Sequence, residues 1–509
     1  MYKFDVTKIP EYALKVARIL IKEGFECYLV GGAVRDHLLD LYVENYDFAT
    51  NATPDVLIKI ESFPKAIQIN ERFGTIAVVV ADEKGENHNV DVTTYRSEKE
   101  YAGGRWPSEV KFGVSLEEDL KRRDFTINAI AVDMKEVFFL IDKLPRDNKE
   151  NLEIIPDNTN SKDLELSVYP KLIDPFNGIE DLKNKTIRTV CDPMERFSED
   201  GLRPIRACRL ASTKGFTIEP QTFETIGKTL HIVKQISLER FRDEFDKILM
   251  KSPKPSVGIN LLKDSGVLNL FIPELLEGIN VNQPKFHVHD VYDHLLACVD
   301  VAEDRVKLAA LFHDVGKPRC ADGNGHFYGH DQVGAQMTRE ILTRIKYSKD
   351  VVERTVKLIE CHMFYYPYSN ADDPKYSTEE DLVNDRNDKM NQGWKDNAIR
   401  RFIKRVGVDN LEDVFLLRIA DATCNPNSAW DPTEISRLQE RISKVLKEDN
   451  ALKITDLDIN GNDLKELGLN GKEIGTTLDM LLEKVIDEPG LNRKDLLCSI
   501  VKKNLELKN

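Results

Sequence analysis

Two groups of residues in this sequence have types and spacings suited to chemistry on phosphates. The first begins at Gly31-Gly32, followed by Arg35, and continues with Asn45 and Asp47 in "ENYDFAT" and Asp91 in "NVDVTTYR". A glycine pair lets backbone N-H groups approach phosphate oxygens with no side chain in the way, and an arginine pairs with such oxygens bidentately. Carboxylates at strand ends on one side of a sheet can hold two Mg2+ ions, one activating an attacking hydroxyl and one bridging to a leaving phosphate. A Gly-Gly pair alone is usually a turn and a single aspartate usually a cap or a solvated face, so the reading rests on the combination.

The second group is His294, His313-Asp314, His330, His362 and Asp421, and six of the ten histidines fall within residues 287–330. An adjacent His-Asp on a buried helix offers an imidazole and a carboxylate to a common metal, with distant helices completing the shell. Mn2+, Ni2+, Mg2+ or Fe2+ fits such mixed N and O donors, and Zn2+ suits them less. Lys317 stands where a phosphate contact would be convenient. The bland alternative is a set of histidines that pack helices together.

These groups need elements to carry them. Residues 11–23 have helical spacing, "FECYLV" reads as a strand running into Gly31, and "GTIAVVVAD" and "NVDVTTYR" read as two more. "RRDFTINAIAVDM" reads as a further strand or buried segment. The first part is therefore a small mixed α/β unit. Residues 143–170 are polar and rich in Asn and Asp, an irregular insertion. From about residue 178 the pattern is helical, and the charged stretch 366–390 reads as a surface loop.

At 509 residues the chain is too long for one core, and three or four domains are expected. With 41% hydrophobic and 31% charged residues, and no apolar run long enough to span a bilayer, it reads as a globular cytoplasmic protein with no membrane partner. The N-terminal segment carries acids among its bases, unlike a leader peptide. Eight cysteines without a C-x-x-C pair suggest neither a zinc ribbon nor a disulfide framework, and are expected to be reduced and buried. The net charge of -15 points away from general nucleic-acid binding, so an RNA site has to be a patch. "LKRRDF" and the arginines of "LRPIRACRL" are the candidates.

Taken together, "LVGGAVRDHLL", "NYDFATNATP", "VDVTTYRSEKEYAGGRWPSEVKFGVSLEEDLKRRDFTINAIA" and "RFSEDGLRPIRACRLA" resemble, in order, the motifs of the class II tRNA nucleotidyltransferase and poly(A) polymerase family. "SLERFRDEF" resembles the helix pair that braces the last of them. The resemblance covers most of residues 25–250. It implies that Gly32 and Arg35 hold a triphosphate, that Asp47 binds Mg2+, and that Arg123 and Asp124 contact the nucleotide and its ribose. Asp200 and Arg203 would pair with the base edge, with Arg206 and Arg209 as further nucleotide contacts. A carboxylate that accepts from an exocyclic amino group, beside a guanidinium that donates to ring N and O, would accept both C and A. The histidine group resembles the HD phosphohydrolase superfamily, whose dinuclear members show H, HD, H, H, D in this order. That implies a phosphatase or 2',3'-cyclic phosphodiesterase.

The implied fold is α+β, a small mixed β-sheet nucleotidyltransferase head followed by a mainly α-helical neck, HD domain and tail. The expected boundaries are a head at 1–142, the insertion at 143–170, a neck at 171–285, an HD domain at 286–428 and a tail at 429–509 that grips tRNA. The implied activity is addition of C, C and A to tRNA from CTP and ATP. "IQINERFGTIAVV" lacks the arginine-rich segment that bacterial poly(A) polymerases tend to carry there, and the loop "EKEYAGGRWPSEVKF", which enzymes adding only CC tend to lack, is intact. One departure stands out: Asn45 occupies the first place of the family's Asp-x-Asp. Asn45 could ligate weakly with Asp91 compensating, Glu44 could substitute, or the head could be inactive, leaving an HD hydrolase. A poly(A) polymerase is the same-fold alternative, and the sequence is silent on oligomeric state.

Overall fold

β1 (Tyr28–Val30), β2 (Tyr46–Thr50), β4 (Thr75–Ala81) and β5 (Asn87–Thr94) mix buried with partly exposed positions, as strands of a sheet with one covered face do, and β3 (Ala66–Asn70) pairs at their edge. The structure is a computed structural model describing residues 3–70, 74–102, 106–143, 169–283, 288–364, 366, 394–425, 432–448 and 452–506. The chain divides into two units, Met1–Phe271 and Ile272–Asn509. Almost all of the insertion expected at 143–170 and of the loop expected at 366–390 lies outside the described residues.

In the first unit, seven strands pair in the order β3-β4-β5-β2-β1-β8-β9, with β8 at Ala131–Asp133 and β9 at Leu172–Ile173. β6 (Arg96–Ala102) and β7 (Trp106–Phe112) form a separate antiparallel hairpin. The mixed sheet expected from the sequence is present, with one parallel pairing that matters for the site: β2 runs parallel to β5. The segment "RRDFTINAIAVDM" combines both sequence readings. A short 3-10 turn at Thr126–Asn128 precedes β8, and every residue from Phe125 to Val132 is buried. Beyond the sheet the helices Pro193–Glu199, Leu202–Lys214 and Leu238–Lys251 follow, and the last packs its Phe241, Phe245, Ile248 and Leu249 inward.

The described part of the second unit is helical. Helices Val291–Val301, Lys307–Phe312, His330–Arg344, Lys349–Cys361 and Leu411–Thr423 carry the histidines and Asp421 or end beside them. His313 and Asp314 do not sit inside a helix as expected. The helix Lys307–Phe312 ends just before them and a new one starts at Lys317. Pro318 explains the break, because its ring and missing N-H would clash with the carbonyl four residues back in a continuous helix. The tail has its own core of Leu464, Leu481, Leu482, Val485, Ile486 and Leu497. No described helix is long and apolar enough to cross a membrane. The cysteines are free thiols, but not uniformly buried: Cys191 is exposed, and Cys320 and Cys498 are half-buried.

Candidate active site and metal centre

The parallel pairing of β2 with β5 sets Asp47 directly beside Asp91. The antiparallel pairing of β1 with β2 sets Val30, just before the glycines, beside Asp47. Gly31 has φ +75, and a Cβ there would stand 3.0 Å from Arg123 Nη1 and 3.6 Å from Asp47 Oδ2. The glycine thus keeps open the space between a guanidinium and a carboxylate, in a backbone conformation that side chains adopt at a cost.

Burial, reinforced by the neighbouring Asp91 charge, pushes the Asp47 carboxyl up to about 6 against the pull of Arg123 and Arg206. Burial raises Asp91 as well. Two adjacent carboxylates with raised proton affinity fit a divalent cation, which would relieve both desolvation and repulsion. Asn45 lies just outside β2 and is exposed. Glu44 is held by Lys251 Nζ at 2.6 Å, on an exposed pair. Neither is among the groups that shift the Asp47 carboxyl.

Three of the nucleotide residues expected from the sequence, Arg35, Asp124 and Arg206, meet in one network. Arg35 is buried, donating from Nη1 to Asn128 Oδ1 at 2.6 Å and binding Asp36 through Nε and Nη2. Asn128 Nδ2 donates to Asp124 Oδ1 at 2.9 Å, and Asp124 Oδ2 pairs with Arg206 at 2.7 Å. Burial opposes the Asp124 charge, yet Arg206 and Asn128 hold it below the usual carboxylate range. The helix Leu202–Lys214 is thereby tied to the head.

Arg203 is anchored by Glu199, by the Arg196 carbonyl at 2.8 Å and by the Arg122 carbonyl at 3.0 Å. Asp200 accepts from Leu202 N at the start of the helix Leu202–Lys214 and pairs with Arg240 at 2.7 Å. Arg209 pairs with Glu244 at 2.5 Å. Asp200 and Arg203 are therefore neighbours, each with its own partner rather than bonded side chain to side chain. The sequence reading missed Arg240, Glu244, Glu199 and Asn128. The first two lie in the quoted "SLERFRDEF", whose helical spacing was the available signal.

In the second unit, all six expected ligands converge. His294 Nε2 is 3.3 Å from His313 Nε2 and 3.2 Å from Asp421 Oδ1. Asp314 reaches both sides, with Oδ2 3.3 Å from His313 Nε2 and Oδ1 3.2 and 3.6 Å from the Nε2 atoms of His330 and His362. His330 and His362 donate from Nδ1 to the carbonyls of Phe327 and Ile359, each at 2.7 Å. Their buried Nε2 atoms have no hydrogen-bond partner. A carbonyl can only accept, so each Nε2 is left as a lone pair facing a carboxylate, an arrangement that fits a cation between them.

Burial disfavours a charged His313, but Asp314 and Asp421 outweigh it and push the imidazole up to about 10. Such a cluster already recruits positive charge. A Cβ on Gly316 would lie 2.5 Å from both Gly334 N and the His330 carbonyl, so the glycine lets the His-Asp turn close on the helix that carries His330. A cavity of about 490 Å³ opens here, lined by Lys317, Tyr328, His330, Arg418 and Asp421 among others. Lys317 Nζ contacts Asp314 Oδ2 at 2.5 Å and Arg418 contacts Asp421 Oδ2 at 2.7 Å. Arg418 and Cys298 went unread in the sequence.

Comparisons with known proteins agree with this arrangement. Residues 27–144 match the Poly A polymerase head domain, 215–278 the probable RNA and SrmB-binding site of polymerase A, and 286–425 the HD domain. The chain is 38% identical over 271 residues to a CCA-adding enzyme of Geobacillus sp. (strain WCH70), covering 53% of this chain and 56% of that one. It is 39% identical over 237 residues to the CCA-adding enzyme of Bacillus subtilis (strain 168), covering 47% and 49%. It thus spans about half the length of the curated relatives it matches. A solved structure of the Bacillus stearothermophilus CCA-adding enzyme in complex with CTP shares the fold over 98% of each chain, at a TM-score of 0.63 and 24% identity. The chain thus carries regions that match a polymerase head domain, an RNA-binding segment and an HD domain in this order, and over about half its length it is similar to CCA-adding enzymes.

Proposed function

We propose that the protein is a CCA tRNA nucleotidyltransferase that adds C, C and A to tRNA 3' ends from CTP and ATP. The observation that carries this reading is the Asp47 and Asp91 pair, with Gly31 and Arg123 beside Asp47, in the same unit as a chain of contacts that joins Arg35, Asn128, Asp124 and Arg206. Relatives named CCA-adding enzymes support the choice of substrates.

Asp47 and Asp91 would hold Mg2+, with Asn45 at most a weak neutral donor. The cation would acidify the attacking hydroxyl and offset charge on the reacting phosphate. Around it, Arg123 and Arg206 supply positive charge for the triphosphate, and Gly31 and Gly32 let it approach the backbone. Asp124 keeps Arg206 oriented. Arg203, fixed by two carbonyls, and Asp200, fixed by Arg240, are pre-set to read the amino edge shared by C and A. Arg209 is steadied by Glu244. The helical tail would grip tRNA by shape and backbone.

The deciding assay supplies tRNA ending at its discriminator base with Mg2+, CTP and ATP. Ordered addition of C, C and A supports the reading. Long A tails would make the protein a poly(A) polymerase, and no extension would leave a hydrolase with a disabled head.

The convergence of the six histidine and aspartate ligands favours a second reading alongside the first, a metal-dependent phosphatase or 2',3'-cyclic phosphodiesterase in the second unit. Lys317 and Arg418 at the cavity wall suit an anionic phosphate there.

A further inference from the structure

We propose that Cys298 is a metal ligand of the histidine and aspartate cluster, so that one of its two ion positions is a nitrogen, sulfur and oxygen site for a softer divalent ion such as Zn2+, Fe2+ or Co2+. The inference rests on the reading of this cluster as a metal site, and goes beyond it in the donor set and the class of ion.

Cys298 stands four residues after His294 on the helix Val291–Val301, so both side chains leave the same face. Both are fully buried. Ligand atoms of His294, Cys298, His313 and Asp421 all lie within 4.8 Å of one another, and those of Asp314, His330 and His362 form a second such group.

The three edges at His294 fit a tetrahedron. Bonds of about 2.0–2.1 Å from a Zn2+ ion to N or O and about 2.3 Å to S require N···N and N···O edges of about 3.3–3.4 Å and N···S edges of about 3.5 Å. His294 Nε2 lies 3.3 Å from His313 Nε2, 3.2 Å from Asp421 Oδ1 and 3.5 Å from Cys298 Sγ. The His313 Nε2 to Asp421 Oδ1 edge is 3.7 Å.

The competing donor for the fourth place is Asp314 Oδ2, but Lys317 Nζ already holds that oxygen at 2.5 Å. Asp314 Oδ1 meanwhile faces His330 and His362. The cluster therefore separates into a position with a thiol and a harder one without. A thiolate donor favours borderline and soft ions over Mg2+, which selects oxygen ligands. Binding would release the thiol proton to solvent as the sulfur bond to the ion forms. Buried Cys424 shares a hydrogen bond with Cys298 and so stands as the partner that orients the sulfur.

The test loads the metal-stripped full chain with CoCl2 and reads its absorption spectrum, then loads it with ZnCl2 and reads X-ray absorption at the zinc edge. The expected results are a near-ultraviolet sulfur-to-cobalt charge-transfer band and one sulfur neighbour per chain at about 2.3 Å from zinc. Cys298→Ala should lose the band and the sulfur neighbour and weaken Zn2+ binding at least about tenfold, while Cys498→Ser, in the tail, keeps both signals. Cobalt that binds with visible bands but no charge-transfer band, or a band that persists in Cys298→Ala, overturns the sulfur ligand and leaves the metal site standing. Failure of the wild-type chain to bind either ion overturns both. The wild-type zinc spectrum decides the matter even if the alanine variant does not fold.

Discussion

Asp47 and Asp91 are register partners across the parallel β2–β5 pairing, and burial, reinforced by the Asp91 charge, pushes the Asp47 carboxyl up to about 6. The ordinary value is 3.8, so the folded chain binds the carboxyl proton more tightly than the unfolded chain does. The stabilisation is complete below the unfolded value and is lost as pH rises through about 6. For a partly screened carboxyl the loss is on the order of 2 kcal/mol. In EDTA, wild type should thus lose stability relative to Asp47→Asn between about pH 4 and pH 7, with Mg2+ restoring it only in wild type. Urea unfolding at several pH values measures this, and parallel curves for the two proteins would contradict it.

The amide at position 45 is the second lever. Asn45 is exposed at the mouth of β2, while Glu44 is already paired with Lys251. Asn45→Asp adds a negative donor two residues before Asp47 without disturbing a buried contact. Its expected effect is a lower Mg2+ requirement and faster incorporation of CTP and ATP into truncated tRNA, by about tenfold or more for a gained charged ligand. A variant that adds nucleotides no faster at any Mg2+ concentration would show that the cation is not held at this place.

Gly31 separates backbone strain from site geometry. Gly31→Ala should lower stability by about 1–2 kcal/mol, because φ +75 is costly for a residue with a Cβ. It should also push Arg123 away from Asp47 and weaken CTP binding. Gly24 has φ +87 with nothing within 4 Å of its Cβ position, so Gly24→Ala should show a similar stability loss with CTP affinity unchanged. Thermal melts and CTP titrations on both variants make the comparison, and equal CTP affinities would remove the steric role of Gly31.

Much of this was legible beforehand because local signals coincided with the long-range ones. The apolar run "GTIAVVVAD" marks β4 and "NVDVTTYR" marks β5, and the histidine spacing marks the cluster. The contact between Asp47 and Asp91 was suggested only by type, since their register depends on the β3–β4 excursion between them. The partners that fix Asp200, Arg203 and Arg209 are hard to read from sequence, because Arg240, the carbonyls of Arg122 and Arg196, and Glu244 come from other elements, and only the helical spacing of "SLERFRDEF" points to Arg240 and Glu244. Cys298 was within reach, one turn from His294. It was passed over because cysteine was sought in C-x-x-C pairs rather than beside histidine.

The proton on His313 predicts how the second site loads. Burial opposes it, but Asp314 and Asp421 hold it up to about 10. An incoming cation has to displace that proton, so Mn2+ affinity should rise by about tenfold per pH unit across neutral and mildly alkaline pH. Calorimetry in buffers of different ionisation heat should detect at least one proton released per site filled. His313→Gln should flatten the pH dependence along with weakening binding. Affinity independent of pH in wild type would mean that His313 is not where the ion enters.

The two sites lie in different units of the chain, so their chemistries should separate by mutation. His313→Ala removes a nitrogen donor from the cluster while leaving every residue of the Asp47 network in place. Hydrolysis of 2',3'-cyclic AMP with Mn2+ or Ni2+ should fall to background in this variant, with CCA addition kept within about twofold of wild type, as expected for sites that share no partners. Asp47→Asn should show the reverse pattern. The double variant should then lose both activities while melting as a folded protein. Loss of nucleotide addition in a well-folded His313→Ala would mean that the cluster serves the transferase reaction itself, and the assignment of two independent sites would fail.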